Sequence, residues 1–115
     1  MVKRNESYPA QKNENMRGGE GFVTIETLLT PEELYNKGRL YAKITIPPGA
    51  SIGYHIHEGE MESYHIICGK AELNDNGETV ILSPGDTALT TAGNSHSIKS
   101  IGDTDLVFMA LILFE

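Results

Sequence analysis

The chain has 115 residues, with 16 acidic and 9 basic side chains and a formal net charge of −7, a length that suits one compact domain around one small core or barrel. The acidic balance, with no basic cluster beyond Lys3-Arg4, argues against nucleic acid and anionic membranes as partners. Lys3-Arg4 leads into Asn5-Glu6-Ser7 rather than an apolar signal core, the longest apolar run (Leu106 to Phe114) falls far short of the ~20 residues of a spanning helix, and the lone Cys68 cannot form an internal disulfide, so a cytoplasmic location is expected.

Residues 1–20 are polar, rich in Asn, Glu and Lys, and end in Arg17-Gly18-Gly19, a composition that predicts an arm or frayed end; the ordered domain is expected over 21–115. From Gly21 the β-branched run Phe22-Val23-Thr24-Ile25-Glu26-Thr27 reads as a strand. Thr30-Pro31-Glu32-Glu33 carries the marks of a helix start, a capping threonine with proline at the first position and a glutamate closing a capping box, and Asn36-Lys37-Gly38 ends the helix after about two turns. Next comes a strand with Leu40, Ala42, Ile44 and Ile46 on one face and Tyr41, Lys43 and Thr45 on the other, stopped by Pro47-Pro48-Gly49.

Short strand patterns follow at 51–57, 61–68, 70–73, 78–82, 87–90, 96–101 and 105–114. Asn74-Asp75-Asn76-Gly77 favours a tight hairpin because Asn and Gly tolerate positive φ, and Ser83-Pro84-Gly85-Asp86 and Gly102-Asp103-Thr104 punctuate the later strands. Many short, evenly spaced strands predict an all-β sandwich or barrel. Cys68, at the end of an apolar strand pattern, reads as a small core residue rather than a nucleophile. The last strand is apolar at both parities, so both its faces need cover, from a second copy of the chain or from the N-terminal strand folded back; a homodimer is expected.

Three of the four histidines fall where one metal ion can gather them. In a strand, residues i and i+2 share a face, so His55-Ile56-His57 presents two imidazoles side by side. Glu62 follows after the turn Glu58-Gly59-Glu60, and an adjacent antiparallel strand would set it beside them, while His96 comes from a distant strand. Three imidazoles and a carboxylate suit a divalent transition metal, Mn or Fe, with Ni, Co or Zn also compatible. Each residue alone has a plainer reading: a surface His-x-His, a solvated strand glutamate, and a loop histidine bonded to water.

Together the residues resemble the cupins. The first cupin motif, G-x5-H-x-H-x4-E-x6-G, is matched without a gap from Gly49 to Gly69. The second, G-x5-P-x-G-x2-H-x3-N, maps onto Gly85 to Ser100 with Gly85, Gly93 and His96 in place, Thr91 standing for the proline and Ser100 for the asparagine. The resemblance implies a double-stranded β-helix, a jelly-roll barrel, here with one short N-terminal helix. It also implies one metal ion per chain on His55, His57, Glu62 and His96, with two neighbouring coordination positions left for water, a carboxylate or dioxygen. The region from Arg39 to His65 is similar to small bacterial cupins described as oxalate-decarboxylase-like.

Tyr64 and Ile66 share the strand face of Glu62, Ile98 shares that of His96, and Thr90 ends the strand leading to it. Tyr64 reads either as a donor to a ligand oxygen or as a barrel-lining aromatic. Arg39, Tyr41 and Lys43 hold an anionic substrate if their face points inward, and form a solvated or dimer face if it points outward. Glu58 and Glu60 stand at the rim, and Glu60 is the candidate general acid. His65 is out of phase with Glu62. The functional expectation is a metal-dependent enzyme acting on a small carboxylate or related oxygenated metabolite as a decarboxylase, lyase, isomerase or dioxygenase; the alternative is a binding or sensing barrel that holds its ligand unchanged.

Overall fold

The structure is a computed structural model that describes residues 1–115. Ten strands carry it: β1 (Ala10–Glu14), β2 (Phe22–Leu29), β3 (Gly38–Ile46), β4 (Ser51–Ile56), β5 (Glu60–Cys68), β6 (Ala71–Asp75), β7 (Glu78–Leu82), β8 (Thr87–Thr90), β9 (Ser95–Ser100) and β10 (Leu106–Phe114). They form two antiparallel sheets, β1-β2-β3-β10-β5-β8 and β4-β9-β6-β7, the sandwich or barrel expected from the strand spacing and the jelly-roll arrangement that the cupin resemblance implies.

The period-two patterns decide which side chains face inward. On β3, Ala42, Ile44 and Ile46 are buried while Tyr41, Lys43 and Thr45 are partly exposed. On β10, Leu106, Phe108, Ala110 and Ile112 are buried. Phe108 sits between Ile44 of β3 and Ile66 of β5, and meets Ile52, Leu73 and Ile98 of the facing sheet in one continuous core. The other parity of β10, Val107, Met109, Leu111 and Leu113, is only half-covered.

Three expectations change. The polar segment Ala10–Glu14 is strand, pairing from Ala10↔Glu26 to Glu14↔Phe22. Its own residues carry no apolar signal, so the pairing comes from the open edge of β2, helped by Lys12 lying 4.1 Å from the Phe22 ring centre. A polar, lysine-bearing outer strand is a common way to finish a sheet edge.

The helix expected after Thr30 is a turn. Its capping box forms, with Thr30 N–H donating to Glu33 Oε1 at 2.9 Å and Glu33 N–H to Thr30 Oγ1 at 3.2 Å. Tyr35 and Asn36 then both adopt φ of 55°, which stops propagation after one turn. Cys68, expected in the core, is exposed, because β5 loses its inner face at its last residues.

A second tight turn, Met16–Gly18, runs across β4. A Cβ on Gly53 would stand 2.1 Å from the Arg17 carbonyl oxygen, and one on Gly19 would stand 2.2 Å from that of Ser51. These glycines let backbone pack directly on backbone, which fixes where Arg17 sits.

Candidate metal centre

The site is assembled across the gap between the sheets. His55, near the end of β4, pairs with His96 of β9. His57 lies just past β4, where its N–H donates to Asn94 O at 3.0 Å and its own carbonyl accepts from Gly93 N–H at 2.7 Å. Glu62 and Tyr64 come from β5, two residues apart and both pointing inward. Glu62 therefore reaches the histidines from the facing sheet, not from a strand adjacent to theirs: β5 pairs with β10 and β8, while β4 pairs with β9.

The four side chains expected from the sequence meet. His57 Nε2 is 3.0 Å from His96 Nε2, and the two nitrogens lie 3.0 and 3.1 Å from Glu62 Oε1. The three imidazole rings stand 4.8–4.9 Å apart, each turned steeply to the others. A donor atom from each of the four residues lies within 4.8 Å of the other three.

Each ring is held by its other nitrogen. His55 Nδ1 donates to the Gly53 carbonyl at 2.7 Å, and His57 Nδ1 to Glu60 Oε2 at 2.6 Å. His96 Nδ1 is 2.8 Å from Thr90 Oγ1. Glu60 is in turn gripped by Arg39, whose Nε and Nη2 donate to its two oxygens at 2.8 Å each, a bidentate pair. With protons on the three Nδ1 atoms, each Nε2 is left with a bare lone pair, and those of His57 and His96 face the carboxylate of Glu62. Four acceptors facing one point repel unless a cation lies among them, so the donor set fits a metal ion. The spacing agrees: adjacent ligands at about 2.1 Å from an octahedral ion stand about 3.0 Å apart, whereas tetrahedral ones stand about 3.4 Å apart.

The electrostatics point the same way. Burial opposes ionisation of Glu62; in the ion-free site, where Nε2 of His57 and of His96 can carry a proton in place of the metal, the hydrogen bonds they donate outweigh it and hold the carboxyl at about 2. Glu62 first, against the cost of burial, and then Glu60 raise the affinity of His57 for a proton. A field that draws a proton onto this imidazole also favours a metal cation in its place. His55 is shifted down, mainly by burial.

Beside the centre lies a cavity of about 120 Å³, the room of about four water molecules. His55, His57, Glu62 and Tyr64 line it, with apolar walls that include Ile25 and Leu40. Tyr64 is buried, stacks on the His96 ring at 4.9 Å, and brings its hydroxyl to 3.5 Å from His96 Nε2. Burial, then the Glu62 carboxylate, keep that hydroxyl protonated well beyond the ordinary phenol range.

The remaining candidates separate cleanly. Tyr41 and Lys43 point outward, Lys43 toward Glu26 at 3.7 Å. Arg39 leaves that row and swings to Glu60 at the cavity wall. Thr90 orients His96 rather than lining the cavity, and Ile98 is core. Glu58 is exposed, and His65 faces outward onto Thr87. Sequence reasoning missed Arg17, which lines the cavity from the N-terminal turn. Its one signal was the Gly18-Gly19 pair beside Gly53, whose close approach no strand periodicity encodes.

A barrel of this topology with this cluster of three histidines and a glutamate on facing strands defines a class, and comparison with known proteins places the chain in it. The Cupin domain family model matches residues 42–112, and the chain belongs to the cupin family. It is 45% identical over 113 residues, 98% of this chain and 93% of the other, to a Thermotoga maritima protein named oxalate-binding protein. It superposes on the crystal structure of a predicted oxalate decarboxylase from Thermotoga maritima with a TM-score of 0.97 at 44% identity, over the full length of both chains. KdgF from Halomonas sp., at 20% identity and a TM-score of 0.74 over 97% of this chain and 91% of the other, shares the fold.

Proposed function

We propose that this cupin holds one divalent transition metal ion, manganese or iron first, on His55, His57, Glu62 and His96, and through it binds a small anionic carboxylate. The observation that carries the reading is the convergence of His57 Nε2, His96 Nε2 and Glu62 Oε1 within 3.0–3.1 Å of one another at the end of a cavity sized for a few heavy atoms. The name of the Thermotoga maritima relative supplies the ligand class. When bound, such a metal supplies a Lewis acid that attracts a carboxylate oxygen. The chain's own residues do the rest: Glu60 and Arg39 fix His57, Thr90 fixes His96, Tyr64 offers a hydroxyl to a ligand oxygen, and the apolar walls limit the water around it.

A second reading, turnover of the carboxylate by a decarboxylase, lyase, isomerase or dioxygenase route, draws on Tyr64. Its hydroxyl, which stays protonated, stands beside His96 in the wall of the cavity and can donate a hydrogen bond to a substrate oxygen. Glu60 supports catalysis by position rather than as an acid, because Arg39, against a smaller cost of burial, and then His57 keep it ionised. A homodimer in the cytoplasm belongs to the same reading. The half-covered apolar row Val107, Met109, Leu111 and Leu113 supports the dimer, and a lone cysteine, Cys68, requires no oxidising compartment.

Elemental analysis of protein purified without chelators is expected to give about one transition metal per chain, and His57→Ala and His96→Ala to lose it. Calorimetric titration of the manganese-loaded protein with oxalate should then show saturable binding that chelation abolishes, with the recovered oxalate analysed by mass with and without oxygen. Unchanged oxalate supports the binder, and its consumption supports the enzyme. Full metal occupancy in both histidine variants would end the proposal.

A further inference from the structure

Charged groups in the cavity wall are committed, with one exception. Glu62, His55 and His57 belong to the centre, and Arg39 is spent on both oxygens of Glu60. Arg17 lines the same cavity and makes no hydrogen bond or ion pair, although Lys3, Arg39 and Lys43 all do.

Arg17 also sits where a non-glycine residue is costly. Its backbone is left-handed, at φ 54° and ψ 29°, a conformation that disfavours any side chain by about 1 kcal/mol. Glycine is the ordinary occupant of such a position, and glycine follows immediately at 18 and 19. The turn is seated firmly, its Arg17 carbonyl against Gly53, with Asn15 Nδ2 donating to Gly19 O at 3.1 Å. A strained turn, locked onto β4, thus holds an exposed, unpaired arginine at the wall of the cavity onto which the proposed centre opens.

The charge balance sets what fits. A divalent ion on three neutral imidazoles and one carboxylate leaves a single net positive charge, and Arg17 contributes a second. A monoanion neutralises half of this; a small dianion neutralises all of it.

We propose that Arg17 is a specificity-determining residue that takes the carboxylate oxygens pointing away from the centre, so that the cavity selects small two-carboxylate ligands over monocarboxylates of the same size. This rests on the reading that the centre binds a carboxylate, and goes beyond it by naming the residue and the charge of the ligand. The N-terminal segment thereby completes the site that the barrel leaves open.

The test is calorimetric titration of manganese-loaded protein with oxalate, the dianion, and with glycolate, a chelating monoanion of similar size. Wild type is expected to prefer oxalate. Arg17→Gln should weaken oxalate binding by about 10- to 100-fold, the worth of a lost charge-assisted hydrogen bond, while glycolate changes less than about threefold. Arg17→Gly, which suits the left-handed backbone and so protects the fold, should behave the same way, with about one metal per chain retained in both variants. If both variants hold oxalate as tightly as wild type, or lose oxalate and glycolate equally, the role of Arg17 is overturned while carboxylate binding stands. If wild type binds neither anion, the carboxylate reading falls and this proposal with it.

Discussion

Nδ1 of His57 donates to Glu60 across 2.6 Å, so the orientation of one ring in the centre depends on a carboxylate outside it. Because Arg39 holds both oxygens of Glu60, Arg39, Glu60 and His57 are hydrogen-bonded in one continuous chain. Outer groups of this kind set ring orientation and ligand basicity, and their loss commonly costs about 10- to 100-fold in metal affinity. Glu60→Gln is therefore expected to lower manganese affinity by about tenfold or more in a chelator competition, with one ion still bound at saturation. An unchanged affinity would mean that His57 is oriented by its backbone alone.

Glu62 predicts how the metal-free protein responds to acid. Its carboxyl is held at about 2 in the fold against an ordinary value of 4.5, so it contributes stability above about pH 4.5 that is lost as pH falls toward 2. His55 is shifted down and His57 up, so those two oppose each other across neutral pH. Melting curves in chelator from pH 6 to pH 3 should fall more steeply for wild type than for Glu62→Gln. With manganese present the imidazoles must shed their protons to bind, so the gain in melting temperature on metal addition should grow as pH rises from 5 to 8. Parallel acid limbs for the two proteins would show that Glu62 is not held in its ionised form.

Ser100, which stands where the second motif has asparagine, is fully buried, and its Oγ has no hydrogen-bond partner. A buried hydroxyl without a partner costs about 1–3 kcal/mol in desolvation. Ser100→Ala is expected to stabilise the protein by about 1 kcal/mol in urea unfolding, with metal content unchanged. A loss of stability would mean that the hydroxyl has a partner in solution.

The inward rows of β3 and β5 were legible because period-two alternation is a local property of the chain, whereas β10, apolar at both parities, left its inward row to the structure; the four metal-binding candidates were legible because His-x-His and a motif spacing fix residues to faces. The facing-sheet origin of Glu62 was not legible, since which strands pair is decided by the whole topology. Ala10–Glu14 was missed for the same reason: its strand character is lent by β2. The Thr30 capping box was read correctly and still gave only a turn, because a cap cannot extend a helix into the left-handed backbone of Tyr35 and Asn36. Arg39 stood on an outward row by parity, yet at the end of β3, beside the register shift at Ile112 and Leu113, it was free to turn toward Glu60.

Leu111 sits midway along the outward row of β10, with Tyr41 of β3 beside it on one side and Ser63 of β5 on the other. Leu89 of the neighbouring β8, opposite Ser63, is more than half exposed. A second copy laid on this face would bury a continuous apolar strip, and a single charge placed at its middle would be left without a partner or water. Light scattering is expected to give twice the 12.6 kDa chain mass for wild type and the monomer mass for Leu111→Glu, with metal content and the far-ultraviolet spectrum unchanged. A wild-type monomer at high concentration would overturn the dimer, and a dimer that tolerates the glutamate would move its interface away from β10.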